Sequence, residues 1–98
     1  MNQKSNINIK IDKEVAEGKY SNLVLTVHSQ SEFILDFAKM LPGLTEASVH
    51  TRIIMTPSHA KLLLKSIEEA IKKYESAFGE IKIEEHGGNG KSIGFTNS

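Results

Sequence analysis

From Ala60 to Phe78 the chain keeps one rhythm: Ala60, Leu63, Leu64, Ile67, Ile71, Tyr74 and Phe78 fall on a single stripe at 100° per residue. Lys61, Lys65, Glu69, Lys72 and Ser76 fall opposite. Thr56-Pro57 sets the start, because a threonine hydroxyl can accept from the free N–H groups of a first turn and proline at the first helical position leaves no donor unpaired. Gly79 suits the C-terminal cap. The pattern predicts one C-terminal helix of about 22 residues and ~33 Å. Glu68 and Lys72, four apart, add an ion pair of a few tenths of a kcal/mol. Such a helix buries its stripe only against a surface supplied by the rest of the chain.

The preceding residues read as β-structure. Ile7, Ile9 and Ile11 alternate with Asn8, Lys10 and Asp12, the period of a first strand. Residues 13–19 read as a connection, and Tyr20 to Val27 is apolar and β-favouring, a second strand. His28-Ser29-Gln30-Ser31 suits a hairpin tip. Phe33, Leu35 and Phe37 then alternate with their neighbours as a third strand, although Phe33, Ile34, Phe37 and Leu41 also stand at helical spacing behind Ser31 as a cap. We favour the strand. Pro42-Gly43 presets a type II turn, and Val49 to Met55 follows as the fourth strand. The expected fold is α+β: a four-stranded antiparallel sheet followed by one long C-terminal helix packed on one face. Residues 1–80 form a single domain on this reading. Residues 81–98 add a short strand at Ile81 and Ile83 and a flexible Gly-rich tail.

At 98 residues only one core fits, and 39% hydrophobic content is ordinary material for it. Twelve basic and twelve acidic side chains cancel, so no long-range field gathers phosphate backbones or anionic lipid. Nucleic acid and membrane are therefore not expected as partners. With no apolar run of ~20 residues and no signal-peptide pattern, the expected location is the cytoplasm. The absence of cysteine removes disulfides, thiolate nucleophiles and thiolate metal sites.

Each chemical motif has a stronger plain reading. Gly90-Lys91-Ser92 has the ending of a phosphate-binding loop, but Glu85 stands where that loop needs glycine, and only six residues follow Ser92. His28, His50, His59 and His86 have no partners at ligand spacing, although His28 and His50 could meet across strands. Asp36 sits among Phe33, Leu35 and Phe37, where a raised carboxyl pKa would suit catalysis; strand alternation turns it outward, within reach of Arg52. No cofactor, no metal and no catalytic residue is expected.

Surplus apolar surface is the more informative signal. If odd residues of the last three strands face the helix, Val24, Ile34, Ala38 and Ile54 lie on a face that nothing in the chain covers. On the helix, Ser66, Ala70 and Ala77 flank the stripe with small side chains that let a second helix approach. The expected interface is therefore Val24, Ile34, Ile54, Ser66, Ala70 and Ala77, with a second copy of the chain as partner.

Between Ile9 and Phe78 the sequence resembles a bacterial family of small proteins classed as domain of unknown function 3467. The residues that carry the likeness are Val15-Ala16-Glu17-Gly18-Lys19-Tyr20-Ser21-Asn22-Leu23-Val24, Ser31-Glu32-Phe33-Ile34-Leu35-Asp36-Phe37, Pro42-Gly43 and Thr56-Pro57-Ser58-His59-Ala60-Lys61-Leu62-Leu63. The resemblance implies a stand-alone bacterial protein and carries over no catalytic residues. At the level of fold alone, the order of elements is similar to that of SecB-type export chaperones, which assemble as dimers of dimers. The chain departs from them in having no acidic excess and no second C-terminal helix.

The expected function is that of a non-enzymatic, self-associating protein that binds another polypeptide, as a SecB-like chaperone or adaptor would. The alternatives are a structural or assembly component with no transient ligand, and a small enzyme using Asp36, Arg52 and His50 between subunits. If the stripe is buried as expected, Leu64→Ala or Ile67→Ala lowers the unfolding free energy by about 2–5 kcal/mol in chemical denaturation. Lys65→Ala on the opposite face changes it by under about 0.5 kcal/mol.

Overall fold

The computed structural model describes residues 6–83 and 95–97. A single turn of helix, α1 (Lys13–Ala16), precedes three antiparallel strands, β1 (Leu23–His28), β2 (Phe33–Met40) and β3 (Ala47–Met55). The long helix α2 (Pro57–Phe78) follows, and a short strand β4 (Phe95–Asn97) closes the order. The sheet runs β3-β2-β1-β4, with β4 parallel to β1. The architecture is thus α+β, a three-stranded antiparallel sheet and a long helix, with one short parallel strand beside it.

Turn chemistry sets these boundaries. Between β1 and β2 the Ser29 N–H donates to the Glu32 carbonyl at 2.9 Å, and the Ser29 hydroxyl accepts from the Ser31 and Glu32 N–H groups, both at 3.3 Å. Between β2 and β3, Gly43 has φ +81° and the Leu44 N–H donates to Leu41 O at 3.2 Å. Proline followed by a positive-φ glycine makes this the expected type II turn. Phe33–Met40 is therefore a strand, and its helical spacing has no structural counterpart. Thr56 caps α2 by accepting the His59 N–H at 3.3 Å, with Pro57 in the first turn and Gly79, φ 98°, at the end.

Two side chains before β1 act as extra ladder. Asn22 donates to Met40 O and accepts from Met40 N–H, each at 2.9 Å, so its amide pairs with the end of β2 as backbone would. The Ser21 hydroxyl donates to Ala38 O at 2.9 Å. Farther along, Phe37 pairs with Thr51 but Ala38 pairs with Val49. His50 is thus the extra residue of a β-bulge on β3, the edge strand.

The first strand expected at Ile7–Ile11 is not formed. Those isoleucines are 74%, 91% and 65% exposed. Alternation specifies one side of a ribbon, but a strand also needs a partner, and among the described residues this segment pairs with none, the edge of β1 being taken by β4 over Val24–Thr26. Ile81 and Ile83 form no strand either. Of the expected tail, residues 84–94 and 98 lie outside the described residues, and Phe95–Asn97 belongs to the sheet.

A second correction concerns the helix. No residue of α2 is buried, and Leu64 and Ile67 are 56% and 47% exposed. The reason is that the first half of the helix stands off the sheet over an open groove lined by Leu64 and Ile67, and the second half outruns it, since 22 residues span about 33 Å against about 20–30 Å for strands of six to nine residues. Among the described residues only Val24 and Ala38 are buried hydrophobics. The loss expected from Leu64→Ala accordingly requires a second body over the stripe.

Asn22→Ala removes both bonds to Met40 and leaves part-buried backbone groups unpaired. It is expected to lower stability by about 1–3 kcal/mol. Gln30→Ala at the exposed hairpin tip should cost under about 0.5 kcal/mol, both read by urea denaturation at one protein concentration.

Candidate interaction surface

Cross-strand partners share a face, so the register decides what each side of the sheet presents. Val24 pairs with Phe37, Thr26 with Leu35 and His28 with Phe33. On β3, Thr51, Ile53 and Met55 stand opposite Phe37, Leu35 and Phe33. This is the helix side, because Thr26, Phe33 and Leu35 line a groove with Pro57, Ala60, Leu63, Leu64 and Ile67 of α2. The groove is open and holds about 670 Å³. The helix forms one wall of it without filling it.

The outer face carries Leu23, Leu25 and Val27 of β1 with Ile34 and Ala38 of β2 and Ile54 of β3, but Ala38, expected to be uncovered there, is fully buried. Ile34 and Ile54 are direct partners there, as expected, and Ile54 is 55% exposed. Val24 is not on this face: it is buried, 6% exposed, on the helix side. The four-residue connection from Ser29 to Glu32 sets an even residue of β1 opposite an odd residue of β2, which reverses the parity assumed from alternation. Leu23, Leu25 and Val27 were missed for the same reason, and the length of that connection was the signal that could have found them. Ser66, Ala70 and Ala77 are exposed on α2, where no residue is buried.

The outer face also holds a charge pair. Arg52 donates from Nε to Asp36 Oδ1 at 2.7 Å and from its terminal nitrogen to Oδ2 at 2.8 Å. The Asp36 side chain is 14% accessible and that of Arg52 60%. The guanidinium hydrogen bonds hold the Asp36 carboxyl below its ordinary 3.8, and burial opposes them more weakly. Its shift runs opposite to that of a catalytic acid. The pair fixes register between β2 and β3 and keeps one polar point in an apolar face.

The histidines are dispersed. His28 on β1 stacks on Phe33 with centroids 5.4 Å apart, and β2 separates it from His50. His50 donates from Nε2 to the Tyr20 carbonyl at 2.9 Å, and its Nδ1 lies 2.8 Å from the Thr51 hydroxyl. A carbonyl only accepts, so Nε2 carries the proton. His59 Nδ1 lies 2.9 Å from the Thr56 hydroxyl. His50 and Ser48 line a recess of about 390 Å³ with Gly18, Lys19, Tyr20 and Lys39. Both ring nitrogens are already engaged, so His50 is not placed to activate Ser48. Asp36, Arg52 and His50 do not converge, since His50 bonds to Tyr20 and Thr51 while the other two bond each other. Among the described residues no group of three or more His, Cys, Asp or Glu could hold a metal ion. No helix among them is long and apolar enough to cross a membrane. His86 and the Gly90-Lys91-Ser92 segment lie outside the described residues.

Eighteen large hydrophobic side chains are exposed among the described residues, against two buried hydrophobic ones. Apolar surface on this scale marks an interaction site.

Residues 1–83 match a family described as protein of unknown function, DUF3467. No curated protein and no solved structure matches the chain.

Because the Asp36 carboxyl is depressed by Arg52, the stability it contributes is present above about pH 4, the ordinary carboxylate value, and is lost as pH falls through the lower folded value. Acid titration followed by circular dichroism should therefore show the wild type gaining stability relative to Asp36→Asn as pH rises from about 2 to 5. Above pH 5 the difference between them should stay constant.

Proposed function

We infer the role of this chain, which belongs to the DUF3467 family of proteins of unknown function, from the surface it leaves uncovered: it is a non-enzymatic, self-associating protein that binds another polypeptide. One observation carries this reading. Val24 and Ala38 are the only buried hydrophobics among the described residues, while Ile53, Ile54, Leu64, Ile67, Ile71 and Tyr74 are each 40% exposed or more. A single domain with so small a core has little to set against roughly 1–2 kcal/mol of backbone entropy per ordered residue. Symmetric pairing through the same patch is the commonest way for a small protein to bury such a strip.

Two surfaces are available, the outer sheet face around Ile34 and Ile54 and the stripe of α2 with Ala70 and Ala77 beside it. If assembly takes one, the other stays open to an extended or helical segment of a different polypeptide, the SecB-like arrangement. The exposed Ile7, Ile9 and Ile11 segment and the free edge of β3 offer backbone for the same purpose. The neutral net charge argues for a partner recognised by apolar side chains rather than by phosphate.

Light scattering on a sizing column is the test. The wild type is expected to run as a dimer or larger at tens of micromolar. Ile54→Lys on the outer face or Ala70→Glu on the helix flank should shift the mass toward monomer, and Lys72→Glu should not. A wild type that runs as a monomer would remove self-association from the reading. Assemblies that retain no polypeptide when isolated from cells would favour a structural component instead.

A further inference from the structure

We propose that two copies of the chain associate through an antiparallel pairing of α2, in which Tyr74 and Phe78 of each copy fill the groove between helix and sheet of the other. The proposal rests on the self-association reading and adds to it a surface and an orientation. Pro57, Ala60, Leu64, Ile67, Ile71, Tyr74 and Phe78 follow one another at alternating spacings of three and four residues. That is the a/d seam of a coiled coil, sustained along the whole helix. The first half of the seam, through Ile67, faces the open groove of about 670 Å³ that Phe33 and Leu35 floor from the sheet. The second half runs on with Ile71, Tyr74 and Phe78 at 40%, 50% and 76% exposure. One helix therefore carries an unfilled groove at one end and unburied aromatic rings at the other. Tyr74 and Phe78 already associate, with centroids 5.1 Å apart, as one aromatic unit.

Antiparallel pairing about a two-fold between Ile67 and Ile71 joins the two ends. It stacks Ile67 on Ile71, Leu64 on Tyr74 and Ala60 on Phe78, so the largest side chain meets the smallest. Ala70 and Ala77, beside the seam, let the backbones approach, and Ala77 faces Leu63. On the other flank, Lys61 of each copy meets Glu75 of the second. The Glu75 carboxylate accepts the Ile81 N–H through Oε2 at 2.9 Å, which leaves Oε1 for that lysine. Glu68 meets its own counterpart at the two-fold, a like-charge contact worth a few tenths of a kcal/mol against two attractive pairs. A parallel pair would set Ala60 on Ala60 and Phe78 on Phe78, leave both grooves empty and bring Lys61 to no carboxylate. Head-to-tail helix dipoles favour the antiparallel order as well.

The full chain has no cysteine, so single introduced thiols report the geometry directly. With a short bifunctional thiol-reactive linker, Ala70→Cys should couple to itself. Ala60→Cys alone should not, because an antiparallel pair holds those positions roughly 27 Å apart, whereas an equimolar mixture of Ala60→Cys with Phe78→Cys should couple. In sedimentation equilibrium, Lys61→Glu or Glu75→Lys should each raise the dissociation constant about tenfold, and the double swap should return it to within about threefold of wild type. Self-coupling of Ala60→Cys, or a double swap as weak as the single variants, overturns the antiparallel helix pair while leaving an oligomer. A monomeric wild type overturns the self-association reading itself.

Discussion

A length mismatch governs this protein: a helix of 22 residues is set against strands of six to nine. The helix outruns the sheet, so roughly its first half can stand over strands and its second half cannot. No sequence change within the stripe would cure this, since every apolar residue added beyond Ile67 adds surface that the sheet does not reach. The bare rings of Tyr74 and Phe78 follow from that constraint, while the groove at Phe33 and Leu35 opens where the first half of the helix stands off the sheet. They are also complementary, a vacancy and its filler on the same element.

The sheet is pinned by polar contacts rather than by a core. Asn22 and Ser21 bond to the end of β2, the Ser29 hydroxyl closes the hairpin, and Arg52 and Asp36 hold β2 to β3 with two hydrogen bonds. Register thereby survives with only Val24 and Ala38 buried among the described residues. Such a sheet can keep its strand order while its faces await cover. Those faces therefore offer a preformed surface, which lowers the ordering cost of any association.

How far the fold could be read from the chain differs from element to element, for physical reasons. Phe33–Met40, β3 and α2 were legible because their signals are local: a type II turn at Pro42-Gly43, a cap at Thr56, and a period that persists over many residues. Ile7–Ile11 has an equally clear period and forms no strand, since a period sets a face but supplies no partner strand. Val24 was misplaced because alternation gives two faces but not their relation between strands. Ile34, Ile54, Ala70 and Ala77 stand on exposed or half-exposed surface, and the outer residues of β1 were not foreseen.

The sequence by itself determined the elements whose causes lie within a few residues, namely the capped helix with one apolar stripe and the turns that separate the strands. It also determined the chemistry available, with no thiol and no net charge. Tertiary structure alone decided which edge takes the last strand, which parity of β1 faces the helix, and that Asp36 binds Arg52 while His50 binds Tyr20. These are pairings between positions 5 to 71 residues apart. A one-residue change of register exchanges the faces of a whole strand, so local pattern cannot carry that information.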